Sequence, residues 1–332
     1  LFILLRSLQA KGMTIIIITH KLHEVLSISD RVTVMRLGKN AATFNTKDTN
    51  IRELSRVMVG SDVESVHVEQ SEGGDQPEPY LTIENVCTKS DGDRCNLKEL
   101  TLNLYPGKIV GVAGIDGNGQ TELVEVLTGV KPIQEGKLIA EGQAIKNNSC
   151  ETMKKLGIGV IPEDRSVQGL ILDLSIRDNI LVGYKGDDRF SKYGLFRMQN
   201  INSYVDDLIG KYDIRPTRKS AVCRFVSGGN QQKVVLAREL ERPLLRAVIA
   251  SQPSRGLDVG AIQFTYQTLL KLREEGKAIL LISSDLDEIQ ALSDDIAVIR
   301  NGQIVAYCEA CEISKDEIGL FMGGSHSEEA TA

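Results

Sequence analysis

IVGVAGIDGNGQT, residues 109–121, decides the fold of the larger part of this chain. The apolar residues 109–113 predict a strand, and the apolar spacing after Thr121 predicts a helix. The turn between them fits the phosphate-loop pattern G-x-x-x-x-G-K-[ST] except at the lysine, where Gln120 stands. Such a turn brings backbone N–H groups and a helix N-terminus to a phosphate group. The alternative is a glycine-rich turn without a ligand. The candidate phosphate-binding residues are Gly114, Asp116, Gly117, Asn118, Gly119, Gln120, Thr121 and Glu122.

The missing lysine removes a charge from this loop. A lysine about 4 Å from a phosphate oxygen contributes roughly 4 kcal/mol of attraction at a near-surface effective dielectric. Gln120 can donate a hydrogen bond but carries no charge, so any nucleotide binding at this loop is expected to be weak and to use the backbone.

Strands alternate with helices from residue 109 onward, which predicts an α/β fold with a mostly parallel sheet. A mainly helical block, about residues 163–240, interrupts the alternation and predicts an inserted helical subdomain. Ser314-Lys-Asp-Glu317 is a capping box that opens the last helix. The predicted elements are strands 81–86 and 109–113, helices 175–183, 199–212 and 228–240, strand 246–250, helix 260–274, strand 278–283, helix 285–292 and strands 295–299 and 303–307.

An internal repeat divides the chain into domains. Residues 8–39 return without a gap as residues 272–303, an offset of 264 positions. This period is too long for a solenoid and indicates a duplicated domain. We therefore expect a longer protein with two similar domains, of which this chain is the C-terminal part. Residues 1–60 would be the C-terminal remnant of the first domain, with a helix, strand 14–18, helix 21–28, strand 31–36 and helix 50–59. The other predicted regions are an acidic linker at 61–79, a second domain at 80–324 and a disordered tail at 325–332.

Composition limits the functional classes. The net charge is −6 with 25% charged residues, which does not suggest a nucleic-acid partner. No apolar run approaches the roughly 20 residues of a membrane span, so a membrane role would be peripheral. Among six cysteines only Cys308 and Cys311 are closely spaced, with no second pair to complete a zinc site. We expect reduced, structural thiols and no metal site rather than zinc or redox chemistry.

A second glycine motif lies at the start of predicted helix 228–240. It reads Ser227-Gly-Gly-Asn-Gln-Gln232, with a serine suited to the N-cap position and two glycines that let a ligand approach the backbone. Alone it could be an ordinary helix cap. Its position after a phosphate loop and a helical insertion makes it more specific.

With these motifs in order, the chain resembles the ABC (ATP-binding cassette) ATPases of the duplicated kind that drive sugar and nucleoside importers. Ser227-Gly-Gly-Asn-Gln-Gln232 matches the family signature, and residues 158–172 match the segment that contains the Q-loop. Pro253-Ser-Arg-Gly-Leu-Asp258 matches the D-loop, and Ile18-Thr-His20 matches the switch histidine. The resemblance covers essentially the whole chain and implies the P-loop cassette fold: a mostly parallel core sheet, antiparallel β strands and the helical subdomain.

Several positions depart from the family pattern. Ser251-Gln252 replaces the Asp-Glu pair that follows the Walker B strand, and Glu163 stands at the Q-loop glutamine. The switch histidine becomes Ser284 in the second copy, and no aromatic residue lies between Tyr80 and Tyr105 to stack on adenine. The second domain thus lacks the charges of metal-assisted phosphoryl transfer. Its own site is expected to be degenerate, and this chain alone is expected to be inactive as an ATPase.

The resemblance also implies roles and partners. In the family two cassettes pair head to tail, so the signature would act in trans on ATP held by the first domain. His20 would be catalytic at the same γ-phosphate, and Asp258 would lie across the interface. ATP and Mg²⁺ are the implied cofactors of the complete protein. Implied partners are integral membrane permeases and a substrate-binding (lipo)protein, at the cytoplasmic face of the membrane. The signature residues expected to act in trans are Ser227, Gly228, Gly229, Asn230 and Gln231.

Two other functions are compatible with parts of the pattern. A non-hydrolytic, regulatory or structural remnant would fit a degenerate second domain. A duplicated cassette protein that acts on ribosomes would fit the repeat, but such proteins have a long charged helical linker and two intact cassettes. For the importer, the segment 163–184 is expected to dock a permease, unless its apolar residues only pack the insertion. The sequence does not encode which sugar or nucleoside is transported.

Overall fold

The structure, a computed structural model, describes residues 2–19, 22–36, 38–59, 77–89, 96–184 and 187–324. His20, residues 61–76 of the predicted linker and the predicted tail 325–332 lie outside the described residues. The chain divides into two compact units, residues 1–65 with 256–264 and residues 66–255 with 265–332. Within the described ranges, no helix is both long and apolar enough to cross a membrane.

Residues 2–59 contain three α-helices, a short 3-10 helix and a two-stranded hairpin in their described part. A small core forms around Leu22, Val34 and Leu54, with Phe44 packed against it. The elements are α1 (Phe2–Ala10), α2 (Leu22–Ile28), β1 (Arg31–Arg36), β2 (Lys39–Asn45) and α3 (Ile51–Val59).

The larger part of the chain is an α/β domain with an added antiparallel sheet. Its first elements are β3 (Leu81–Cys87), β4 (Leu100–Leu104), β5 (Ile109–Ala113), α4 (Gln120–Leu127), β6 (Glu135–Ala140), β7 (Gln143–Ala144), α5 (Cys150–Lys155) and β8 (Ile158–Ile161). The inserted block follows with a π-helical turn (Arg165–Gly169), α6 (Ile176–Leu181), β9 (Ser191–Lys192), β10 (Leu195–Phe196), α7 (Met198–Lys211) and α8 (Gly228–Leu240). The last elements are β11 (Ala247–Ser251), α9 (Val259–Glu274), β12 (Ala278–Ser283), α10 (Leu286–Leu292), β13 (Asp295–Arg300), β14 (Gln303–Glu309) and α11 (Lys315–Gly323).

The central sheet has six strands in the order β14-β13-β5-β12-β11-β8. All neighbouring pairs are parallel except β13 with β14. Its inner strands are continuous apolar runs because both of their faces are buried, as is usual in parallel sheets. A second, antiparallel sheet has the order β4-β3-β6-β7. The predicted α/β fold with antiparallel β strands is confirmed, and so is the capping box of Ser314 and Glu317 at α11.

The internal repeat is also a structural repeat. The elements α2, β1, β2 and α3 return as α10, β13, β14 and α11 with the same offset at both ends of every element. The hydrogen bonds repeat as well. Thr46 N–H donates to the Asp30 carbonyl at 3.0 Å, as Ala310 N–H does to Asp294 at 2.9 Å.

Equivalent side chains also contact each other in the two copies. Gln9 donates to the Asp30 carboxylate at 2.8 Å, and Arg273 donates to Asp294 at 2.5 Å. The glycines that end the first helix of each copy, Gly12 and Gly276, have φ of 84° and 79°. These are left-handed conformations that glycine adopts without strain.

The predicted strand 14–18 is wrong. Residues 13–19 are neither helix nor strand, although their counterpart in the second copy is β12. β12 pairs with β5 on one side and with β11 on the other. No strand among the described residues pairs with 14–18. A strand needs a hydrogen-bonded neighbour, which an apolar run cannot supply by itself.

Candidate functional site

The candidate site lies at one edge of the central sheet. β5, β12 and β11 are parallel neighbours, so their carboxyl ends meet at the same edge. The chain leaves β5 into residues 114–120, leaves β11 at Gln252 and leaves β12 at Ser284. The topology thus brings the loop, the Walker B-like position and the counterpart of the switch histidine together.

The glycine-rich turn has the backbone of a phosphate loop. Gly117 and Gly119 have φ of 90° and 112°, and α4 begins directly after Gly119. The loop is also fixed from outside, because Asn301 N–H donates to the Asn118 side-chain oxygen at 2.9 Å. A loop of this shape can present backbone N–H groups to an anion.

Gln120 fills this loop with its own side chain. Its Nε2 donates to the Ile115 carbonyl at 2.9 Å, and its Oε1 accepts from Asn118 N–H at 3.0 Å. The amide also lies beside Gly114, where a Cβ atom would be 2.5 Å from Nε2. One backbone donor of the loop is therefore already used. An incoming phosphate must displace the Gln120 amide before it can accept that N–H group.

The remaining predicted loop residues differ in exposure. Asp116, Gly117 and Thr121 are exposed, whereas Glu122 is buried in the first turn of α4. Exposed groups at this position can meet a ligand. Glu122 faces no solvent, and its predicted contact with nucleotide remains a prediction without geometric support.

Gln252 and Ser284, at the two most altered positions, are bonded to each other. Gln252 Nε2 donates to the Ser284 hydroxyl at 3.1 Å, and Gln252 N–H donates to the Ile282 carbonyl at 2.7 Å. Ser251 is buried at the end of β11. In place of a carboxylate and an imidazole, this site has two neutral side chains that satisfy one another.

Glu163 is committed to an ion pair. Its carboxylate contacts the guanidinium of Arg255, which lies in the D-loop-like segment. Asp258, at the end of that segment, caps α9: its Oδ1 accepts from Ala261 N–H at 2.9 Å. Sequence reasoning missed Arg255 as the partner of Glu163, although an arginine inside the Pro253–Asp258 motif was a visible signal.

The signature segment lies at the start of α8. Ser227 occupies the N-cap position, as predicted, but its side chain makes no capping hydrogen bond. Its hydroxyl accepts from the Asn230 amide at 2.9 Å instead. Gln231 is buried, and its amide donates to the Cys223 carbonyl at 2.9 Å. The hydrogen bonds of Asn230 and Gln231 thus hold the segment in place, and Gly228 and Gly229 are the first two residues of α8.

Two other side-chain types have structural roles. Tyr80, near the place expected for an adenine-stacking aromatic, is buried, and its hydroxyl donates to the Leu156 carbonyl. Burial raises the pKa of Tyr80 to about 12. The cysteines within the described ranges are free, and burial raises the pKa of the Cys223 thiol to about 11. Such a thiol stays protonated and unreactive near neutral pH.

The altered residues do not fit a magnesium ion. Magnesium prefers carboxylate and phosphate oxygens. Here Ser251 is buried, the Gln252 amide is bonded to Ser284, and the Glu163 carboxylate is paired with Arg255. Across the described ranges, no cluster of three or more His, Cys, Asp or Glu side chains is arranged to hold a metal.

Known proteins are similar to this chain in sequence, and solved structures are similar to it in fold. Residues 97–243 match the family model described as ABC transporter. The chain is 38% identical over 327 residues to a nucleoside import ATP-binding protein, NupA, of Lactococcus lactis subsp. cremoris, and covers 64% of it. It is 41% identical over 328 residues to the guanosine import ATP-binding protein NupO of Bacillus subtilis, again over 64% of that protein. These alignments take in 98% of this chain, which therefore spans less than two thirds of the length of these relatives.

A ribose import ATP-binding protein, RbsA, of Lactococcus lactis subsp. cremoris is 35% identical over 318 residues, which are 96% of this chain and 62% of RbsA. Among solved structures, an ATP-binding cassette of an ABC transporter in its ADP conformation superposes with a TM-score of 0.58 at 20% identity. The match covers 74% of this chain and 96% of that one, and it supports the fold alone.

Proposed function

We propose that this chain acts as the ATP-binding subunit of a nucleoside or sugar importer, because residues 97–243 match the ABC transporter family model and the chain is similar in sequence to the ATP-binding proteins of such importers. In the complete protein it would couple ATP binding and hydrolysis to the uptake of a simple sugar or nucleoside. The permeases would form the path through the membrane, and a substrate-binding (lipo)protein would deliver the substrate. The chain would then lie peripherally at the cytoplasmic face of the membrane.

One observation carries this proposal. The signature segment at the start of α8 is retained, whereas the uncharged side chains at the chain's own phosphate site are hydrogen-bonded to the protein itself. Gln120 is bonded to its own loop, and Gln252 is bonded to Ser284. A domain of this kind is useful as a donor of its signature to another cassette. We therefore propose that residues 227–231 act in trans on ATP held by a preceding cassette, and that His20 acts on the same γ-phosphate.

The repeat supports a preceding cassette. Residues 22–59 have the same elements and hydrogen bonds as residues 286–323, which end the second cassette. We propose that residues 1–60 are the end of a first cassette and that 80–324 form the second, degenerate one. ATP and Mg²⁺ would then be bound mainly by the first cassette of the complete protein.

The permease would dock beside the π-helical turn. Leu170, Ile176 and Ile180 are buried and pack the inserted block, as the alternative interpretation of this segment required. Val167 and Phe225, however, are 78% and 85% exposed. The two stretches that carry them are joined, because the N–H of Arg224 donates to the Leu172 carbonyl at 2.8 Å. We propose that these exposed apolar side chains contact the cytoplasmic segment of a membrane partner.

The test is transport in reconstituted vesicles that contain the complete protein, with both cassettes, and its permeases. Uptake of a labelled nucleoside or sugar should require ATP and should be lost in Ser227→Ala. The matched control is Ser220→Ala, an exposed serine seven residues earlier in the same block. A complete protein that fails to hydrolyse ATP would favour the regulatory remnant. Equal uptake by Ser227→Ala and Ser220→Ala would refute the role in trans.

A further inference from the structure

Arg165 lies where three segments of the cassette meet. Its Nη1 donates to the carbonyl of Arg255 at 3.0 Å. Its guanidinium also lies against Gly228, because a Cβ atom on that glycine would be 2.6 Å from Nη2 and 3.5 Å from Cζ. One side chain therefore contacts both the D-loop-like segment and the first residue of the signature helix.

The turn that carries Arg165 is packed along the same face of α8. A Cβ atom on Gly169 would be 3.2 Å from Val235 Cγ2. Gly228 and Val235 are seven positions apart, about two helical turns, so they share one side of the helix. The turn is fixed at its start by Asp164, whose Oδ1 accepts from Ser166 N–H at 2.8 Å and from Val167 N–H at 3.2 Å. Arg165 thus extends from a well-supported backbone.

The opposite end of the contact is equally fixed. The Arg255 side chain pairs with Glu163, which precedes the turn. The buried Gln232 of α8 donates to the carbonyl of Pro253 at 3.3 Å. Segment 252–255 is therefore tied to the π-helical turn and to α8 at once. Of these contacts, the one made by Arg165 lies at the first residue of α8, Gly228.

The charge of Arg165 adds to this arrangement. The N-terminus of α8 carries a partial positive charge from the helix dipole. A guanidinium beside this N-terminus increases its attraction for an anion. When no anion is bound, the two positive charges repel each other. Residues 227–229, at the N-terminus of α8, and the guanidinium of Arg165 together favour the binding of a phosphate group.

We propose that Arg165 is a positioning residue for the signature segment. It holds Gly228 at a set distance from segment 252–255 and so fixes where Ser227 and the helix start meet the ATP of the partner cassette. The inference rests on the proposed function, since the signature acts on that ATP. A positional error of about 1 Å near a reacting group can cost roughly 10²-fold in rate.

The first experiment uses this chain alone and does not depend on ATP turnover. The amide resonances of Gly228 and Gly229 are followed by NMR in ¹⁵N-glycine-labelled protein. Arg165→Ala should move both resonances. The matched control Arg224→Ala removes a nearby arginine that pairs with Asp173 at 2.6 Å, and should leave them in place. Arg165→Lys, which keeps the charge but loses the planar fork, serves if Arg165→Ala does not fold. Unmoved glycine resonances in a folded Arg165 variant would overturn the proposal.

The second experiment uses the complete two-cassette protein. We expect Arg165→Ala to lower kcat about 10²-fold with a smaller change in KM for ATP, and Arg224→Ala to match the wild type. If the wild type hydrolyses ATP and Ser227→Ala abolishes it while Arg165→Ala does not lower kcat, the positioning role is wrong and the proposed function stands. If Ser227→Ala leaves turnover intact, the proposed function itself fails, and the NMR result still decides the position of Gly228.

Discussion

Replacing Gln120 by lysine should tighten nucleotide binding at the loop of residues 114–122. The substitution removes two hydrogen bonds, from Gln120 Nε2 to the Ile115 carbonyl and from Asn118 N–H to Gln120 Oε1. Each contributes about 1 kcal/mol net. A lysine about 4 Å from a phosphate oxygen adds roughly 4 kcal/mol. The wild-type loop must give up these bonds to accept a phosphate, so their loss does not oppose binding, and the lysine contribution of about 4 kcal/mol corresponds to roughly 10³-fold in Kd.

The assay is isothermal titration calorimetry with ATP, on the purified chain, with and without a Mg²⁺ chelator. Gln120→Met is the matched control, because it keeps the approximate size, loses both hydrogen bonds and adds no charge. It should free the Asn118 N–H group and change the ATP affinity only a few-fold. The wild type should bind weakly and with little dependence on Mg²⁺, since Ser251 and Gln252 supply no carboxylate. If Gln120→Lys bound ATP no more tightly than Gln120→Met at an equal melting temperature, the reasoning about the loop would be refuted.

Three further outcomes are expected. The purified chain should not hydrolyse ATP at an ordinary enzymatic rate of about 1 per second or faster; turnover that is lost in Thr121→Ala would contradict this. In the proposed two-cassette protein, Ser227→Ala and His20→Ala should each lower the rate of ATP hydrolysis roughly 10²–10³-fold. The double variant should be little worse than the worse single one, because we propose that both residues act on one phosphoryl group; if the two losses multiplied independently, the two residues would serve different sites. Burial raises the pKa of Glu288, so the native state favours its protonated form, and stability should fall as pH rises from the ordinary carboxyl range through the raised pKa; melting curves of Glu288→Gln should lack this slope, and an unchanged slope would exclude Glu288 as its cause.

Continuous apolar runs made the core of the fold predictable. β11, β12 and β13 are buried over almost their full length. Short apolar runs between helical patterns are typical of buried strands in a parallel sheet. The same reasoning failed for residues 14–18. Their apolar character matches β12, but pairing with neighbouring strands is a property of the assembled sheet and cannot be read from the run itself.

The sequence was sufficient to predict which charged or catalytic side chains the candidate site lacks. The sequence reveals that Gln120, Gln252 and Ser284 replace charged or catalytic residues. It does not reveal that Gln252 and Ser284 bond to each other, because that contact depends on two strand ends meeting at one sheet edge. The closure of the loop by Gln120 was equally hidden, since a glutamine in that place could as well have extended into solvent.

The exposed run at residues 14–18 has a practical consequence for handling the protein. Ile16 and Ile18 are 87% and 97% exposed, within an uncharged stretch of threonine and isoleucine without proline. Short segments of this composition readily form intermolecular β-sheets when they are accessible to other chains. The purified chain should therefore lose solubility as its concentration rises. Ile16→Lys should delay that loss, because a charge in such a segment opposes stacking of identical strands.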